Sequence, residues 1–317
     1  MATFAKSTFN AASYASFRPT YPKSLYDFIY GYHAQSGRAG WDKVVDLGCG
    51  TGSGSVLRLM ANAYRVLGQA TVVVAERFRQ AVGCDPSPGM VENARLAVER
   101  MDKNKPTFEV SPAEKLSFLK DESVDMAIAA QAAHWFDYKQ LFPELARVLK
   151  PGGTVAIWNY NELRFKGKPS LDHLISKYSH GEDSLGPYWE QPGRSILEGY
   201  LRKVPVPTSP PWDAASIRRA YFVGTHEPAL EGEKHPVILS KYLSWDAFQQ
   251  YLRTWSSLHN YLASHPDDKD SQGKDIVDRF VNGVREKGEE LGGDSEEWRQ
   301  GFTAEWPLAL ILLRKGT

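Results

Sequence analysis

Residues 44–52 read Val-Val-Asp-Leu-Gly-Cys-Gly-Thr-Gly, an apolar strand ending in a carboxylate and running into a turn dominated by glycine. Few features constrain a chain more. Glycine reaches backbone angles closed to other residues and lets the main chain approach a bound group that a side chain would block. A helix beginning after the turn would add an electropositive rim of unpaired N–H groups. A buried strand feeding such a turn points to an alternating α/β fold with a nucleotide-type ligand.

The next hundred residues keep that rhythm. Candidate strands at 43–47, 81–84, 107–110, 124–129 and 154–158 alternate with candidate helices at 22–34, 87–101 and 138–149. The pattern predicts a parallel sheet covered on both faces. Ser87-Pro88 reads as a helix cap and first-turn proline, and Lys150-Pro151-Gly152-Gly153 as a helix stop. After Asn159 the chain turns rich in Pro, Gly, Tyr and Trp, with little regular period. It divides as an N-terminal lid (1–40), a core (41–159), a cap (160–300) with helices near 245–263 and 272–290, and a last core strand (301–317).

Four further motifs follow the glycine turn in order: Cys84-Asp85-Pro86, Ala113-Glu114, the strand ending Ile-Ala-Ala-Gln131, and Arg-Val-Leu-Lys-Pro-Gly-Gly153. The series, over roughly residues 40–160, resembles the class I S-adenosylmethionine-dependent methyltransferases. The resemblance implies an α/β, Rossmann-like doubly wound sheet, with a mostly helical cap inserted late in the chain, and S-adenosyl-L-methionine as cofactor. It implies cofactor contacts from Tyr14, Asp46, Gly48, Cys49, Gly50, Gly52, Gly68, Asp85, Pro86, Ala113, Glu114 and Gln131. Asp85 would hold the ribose, Ala113-Glu114 would lie along the adenine edge, and Gln131 would face the methyl group.

One spacing departs from the family. Asp85 stands 35 positions after Gly50, where members place the acid about twenty on. Omitting 52–67 joins Gly-Cys-Gly-Thr to Gly68-Gln-Ala-Thr and brings Asp85 to 19 positions from Gly50. Residues 52–67 therefore read as a 16-residue insertion, either a helix extension or a translated intron, with Gly68 competing with Gly52 for the third-glycine place.

On the substrate side, Tyr14-Ala-Ser-Phe-Arg18-Pro-Thr-Tyr21-Pro22, Gln131-Ala-Ala-His134-Trp135-Phe136 and Tyr251-Leu-Arg253-Thr-Trp255-Ser256-Ser257 resemble the trans-aconitate methyltransferase group. That resemblance implies O-methylation of a carboxylate of a small organic acid. Arg18 or Arg253 would clamp the acid, with Tyr21, Trp135, Asn159, Trp255 and Ser256 around it. His134 would be a base for a hydroxyl substrate and a hydrogen-bond donor for a carboxylate. Methylation of a hydroxyl or carbon on a secondary metabolite is the alternative, as is a homologue whose cofactor loop is impaired by 52–67.

Lys+Arg and Asp+Glu both number 38, so no net charge favours nucleic acid or an anionic membrane as partner. No apolar run is long enough to span a bilayer. Cys49 and Cys84 are the only cysteines and read as free thiols of a cytoplasmic protein. No zinc-spaced Cys/His cluster is present, so no metal is expected. Monomer and homodimer both stay open.

Overall fold

The computed structural model describes residues 18–50, 70–191, 193–291 and 295–316. Eight strands form the main sheet in the order β3-β2-β1-β4-β5-β11-β7-β8. Here β1 is Lys43–Leu47, β2 Gln80–Asp85, β3 Thr107–Val110, β4 Val124–Ala130 and β5 Leu149–Tyr160. Late in the chain come β7 (Trp212–Phe222), β8 (Glu233–His235) and β11 (Leu308–Lys315). The first five are parallel, while β11 runs antiparallel between β5 and β7. This is the expected Rossmann-like α/β sheet, with mixed strand directions at its far side.

Strands β1, β4 and β5 are buried almost end to end because helices cover both faces. Helix α1 (Lys23–Ala34) packs Leu25, Tyr26 and Ile29 into one core layer. Helix α2 is Ala70–Ala75, and α3 (Pro88–Val98) starts where the Ser87 side chain accepts from the Met90 N–H. Helix α4 (Tyr138–Val148) lays Leu141, Phe142, Leu145 and Val148 into the other layer. At the strand starts, buried Asp125 accepts from the Asp42 and Lys43 N–H groups and pairs with Lys150 at 2.8 Å, fixing β1 against β4.

Three expectations are corrected. The turn at 150–153 does not separate helix from strand; β5 begins directly at Leu149 and takes up Gly152, at φ +79°, with a register shift against β4. Residues 160–300, expected as a mostly helical cap, also supply two strands of the main sheet, β7 and β8. Strand β7 escaped notice because exposed polar residues break its alternation; Arg219 in it is spent on the Leu201 and Val204 carbonyls. The helix expected at 245–263 is two, α7 (Trp245–Leu252) and α8 (Ser256–Ser264), parted where the Thr254 hydroxyl bonds back to the Tyr251 carbonyl. The remaining helices are α5 (Asp172–His180), α6 (Gly193–Glu198), α9 (Ile276–Glu290) and α10 (Glu296–Gln300). A small antiparallel sheet joins β6 (Arg164–Phe165), β10 (Gly301–Glu305) and β9 (Ser240–Ser244).

Candidate active site

The carboxyl ends of parallel strands are where such sheets bind ligands, and the turn after β1 is shaped there by backbone. Gly48 and Gly50 stand at φ +66° and +63°. A β-carbon at Gly48 would also lie 2.7 Å from the Ala132 methyl. Cys49 donates its N–H to the Cys84 carbonyl at 3.0 Å, and both cysteines are free thiols. Asp85 clasps the turn: Oδ2 accepts from the Gly50 N–H at 3.0 Å, and Oδ1 from Ser87 N–H, across Pro86, at 2.9 Å. Each oxygen keeps a second lone pair, so the clasp does not exhaust the carboxylate.

Asp46 is the unusual member. It is 2% exposed, with one oxygen accepting from the Thr71 hydroxyl at 2.6 Å and the other buried without a hydrogen-bond partner. Burial, with the nearby Asp85 charge, lifts its carboxyl to about 7. An unpartnered buried carboxylate is costly, and a cationic ammonium group on a ligand is the partner that would complete it. The turn, Asp46 and Asp85 thus fit a ligand bearing an ammonium and a ribose. Thr71, which orients Asp46, was not singled out from sequence; its place in the Gly-Gln-Ala-Thr continuation was the available clue. Tyr14, Gly52, Gly68 and the 52–67 insertion lie outside the described residues.

Two cofactor expectations shift. Gln131, at φ +55°, accepts from the Tyr160 N–H through its side-chain oxygen at 2.8 Å and so ties the end of β4 to β5. Glu114 accepts from the Asp137 N–H at 2.8 Å and braces the start of α4, while Ala113 is buried beneath it.

His134 sits in the short turn Ala133–Trp135, half-buried, with Nδ1 itself buried and lacking a partner. Burial and then the Arg194 charge lower it to about 4. It is therefore neutral at pH 7 and a weak base, against the expectation of a base tuned near the working pH. Trp135 lies tilted beside it at 4.8 Å but is 45% exposed, so it does not wall a closed pocket. Asn159, next to last in β5, is buried with neither amide atom hydrogen-bonded.

Arg18 reaches across to the cap. It donates to the Tyr160 hydroxyl at 3.3 Å and the Thr254 carbonyl at 3.2 Å, and lies over the Tyr251 ring. Tyr21 stands edge-on to Trp158 at 5.5 Å and near Tyr160. Trp255 is buried against Tyr178, Trp189 and Tyr251, and Ser256 opens α8 behind it. Arg253 is corrected: its guanidinium is committed to Asp275 at 2.7 and 3.1 Å and Asp278 at 2.8 Å, locking α7 to the capped start of α9. It is a cap rivet and not an acid clamp.

A second polar group was not foreseen. Glu162, just past β5, is met by Arg164 at 3.2 Å, His180 at 3.3 Å, Arg194 at 3.4 Å and the Ser176 hydroxyl at 2.8 Å. Burial alone would raise its carboxyl, yet the His180 bond and the Arg194 and His180 charges bring it to about 2. Its members come from α5, α6, β6 and the β5–β6 loop, which no local spacing joins.

Comparison with known proteins agrees with this geometry. Residues 45–157 match the family model described as a methyltransferase domain. CRG1 of Saccharomyces cerevisiae, assigned as an S-adenosylmethionine-dependent methyltransferase, is 28% identical over 290 residues, covering 90% of each chain. The methyltransferase cfoB of Aspergillus candidus is 27% identical over 62% of this chain and 60% of its own. A solved structure of a candidate type II methyltransferase from Anaeromyxobacter dehalogenans superposes with a TM-score of 0.62 at 25% identity, covering 95% of this chain and 99% of that one. Among the described residues no His, Cys, Asp or Glu group could hold a metal ion, and no helix is long and apolar enough to cross a membrane.

Proposed function

With the chain a class I S-adenosylmethionine-dependent methyltransferase, we propose that its methyl acceptor is a carboxylate of a small organic acid. When bound, the cofactor supplies an electrophilic methyl on a positively charged sulfur that leaves as a neutral thioether. Asp46, Gly48, Gly50 and Asp85 would hold it. A carboxylate presented to that methyl would already be ionised, so the chain's own residues would have no proton to remove.

The state of His134 carries this reading. A hydroxyl acceptor must lose its proton to a base, and a half-buried imidazole lowered to about 4 is a poor one. A carboxylate, with an ordinary value near 4, is already an anion at pH 7. The chain then has to orient the acid and keep water away. Arg18, between β5 and the cap, offers a cation for that task.

The test uses cofactor carrying a tritiated methyl group, offered with an acid and with its matched alcohol. Carboxyl methylation gives a label released as volatile methanol by alkali, from the acid only. Label stable to alkali, or transfer to the alcohol instead, would overturn the reading in favour of a hydroxyl or carbon acceptor.

A further inference from the structure

We propose that the acceptor's carboxylate is seated on the N-terminus of α8, held by the backbone N–H groups of Ser256, Ser257 and Leu258 and by the Ser257 hydroxyl. This deepens the carboxylate reading and rests on it.

The chain buries this helix end without closing it. Residues Thr254 to Leu258 are all buried, Ser257 completely. The first bond of the helix runs from the His259 N–H to the Trp255 carbonyl at 3.2 Å. The three N–H groups before it point out of the end, where the helix has no carbonyl to offer them. Trp255 holds the cap position, but its side chain makes no capping bond among the described residues, and the first turn contains no acid. Other helices are served differently. Side chains cap α3, α4, α7 and α9. Helix α5 has Asp172 in its first turn, and α1 opens on Lys23 and Ser24, which meet water. A helix end that is buried, uncapped and without an acid needs an acceptor from elsewhere.

Ser257 gives the second sign. Its hydroxyl is buried and has no hydrogen-bond partner, although buried polar side chains are paired as a rule. Helix side chains lean toward the N-terminus. A serine in the first turn therefore sets its short hydroxyl beside the open N–H groups. Donors then gather at the positive end of a helix dipole, and the partner that suits them all is an oxyanion. Tyr178, its ring 6.0 Å from that of Trp255, keeps another buried hydroxyl without a partner.

The place suits an acceptor. The Arg18 guanidinium donates to the Tyr160 hydroxyl at 3.3 Å and to the Thr254 carbonyl at 3.2 Å. One planar group touching both brings the entry of α8 to the Tyr160 side chain, at the end of β5. The glycine turn follows β1 at the same carboxyl edge of the sheet. Around Trp255 stand the rings of Tyr178, Trp189 and Tyr251, which suit the apolar body of an acid.

Steady-state kinetics on the full chain, with tritiated-methyl cofactor and hexanoate, benzoate or succinate, test the proposal. Ser257→Ala is expected to raise KM for the favoured acid about tenfold, the loss of one hydrogen bond to a charged group. Its kcat should change less than about threefold and its cofactor affinity less than about twofold. Its Tm should not fall, because the unliganded fold makes no use of the hydroxyl. An unchanged KM, or a variant of lower Tm, would overturn the proposal. If none of the acids gains label with cofactor bound, the carboxylate reading fails and this inference with it. Normal labelling by an indifferent Ser257→Ala variant removes this inference alone.

The wild-type chain gives a second reading that needs no variant. Trp255-Ser256 is the one Trp-Ser pair in the sequence, so 13C in tryptophan carbonyls and 15N in serine amides isolate the Ser256 amide. With S-adenosylhomocysteine bound, the favoured acid should move that resonance downfield, and its matched primary amide should not. A resonance indifferent to the acid, or moved equally by the primary amide, would overturn the site.

Discussion

The glycine turn after β1 and the Glu162 cluster past β5 both bury carboxylates, yet they treat them in opposite ways. Glu162 is surrounded by two arginines, a histidine and a hydroxyl, and is held at about 2. Asp46 receives one hydroxyl, keeps a bare oxygen and rises to about 7. The first arrangement is complete within the protein; the second waits for a partner. A buried charge that the chain leaves unmatched marks binding, while one it matches fully marks architecture.

Substitutions can break this contrast. Glu162→Gln should be the most damaging to stability, about 2 kcal/mol, because it removes the acid that Arg164 and Arg194 share and leaves them to their outer partners, Glu227 and Glu198. Cofactor affinity should stay within threefold, measured by urea unfolding beside calorimetry. Asp46→Asn should do the reverse. Cofactor binding should weaken by about a hundredfold, on the order of 3 kcal/mol, while the unliganded fold at pH 8 becomes more stable. An Asp46 variant that loses stability as Glu162→Gln does would erase the distinction.

The signs of the pH effects sharpen it. The folded carboxyl of Asp46 lies above its unfolded value, so its protonated form favours folding, and stability falls as pH rises from about 4 to about 7. A cationic cofactor prefers the ionised form, so affinity should drop about fivefold between pH 7 and pH 6. Flat affinity over that range would show that Asp46 does not meet the cofactor's ammonium. His180, raised to about 9 mainly by its Glu162 and Glu198 bonds, stabilises the fold below about 6.5 and loses this as pH climbs through 9. Because His180 is partly exposed, the loss should be no more than about 1 kcal/mol, read as a fall in Tm between pH 7 and 10. Smallest of all, Arg253→Met should loosen the cap by about 1 kcal/mol and leave KM for the acid within twofold. A large KM effect would restore Arg253 as an acid clamp.

Legibility in the sequence followed the same division. Strands β1 to β4 and the glycine turn were readable because period, caps and glycines are local facts. Asp46 and Asp85 stood out by position alone. The roles of Gln131, Glu114 and Arg253 were not readable, since each has a partner 22 to 29 residues away. Strand β7 hid behind arginines whose partners lie in other segments, and the Glu162 cluster behind three elements with no shared spacing.

Strand β11 has a consequence for how the molecule comes into being. It lies between β5 and β7, so β7 and β8 are joined to the rest of the main sheet only through residues 308–315. During synthesis those residues emerge from the ribosome after every segment they unite. Until then the two halves have apolar flanks with nothing between them, a period in which a nascent chain is exposed to chaperones and to its own neighbours. The sheet is closed, in effect, by a keystone that arrives late.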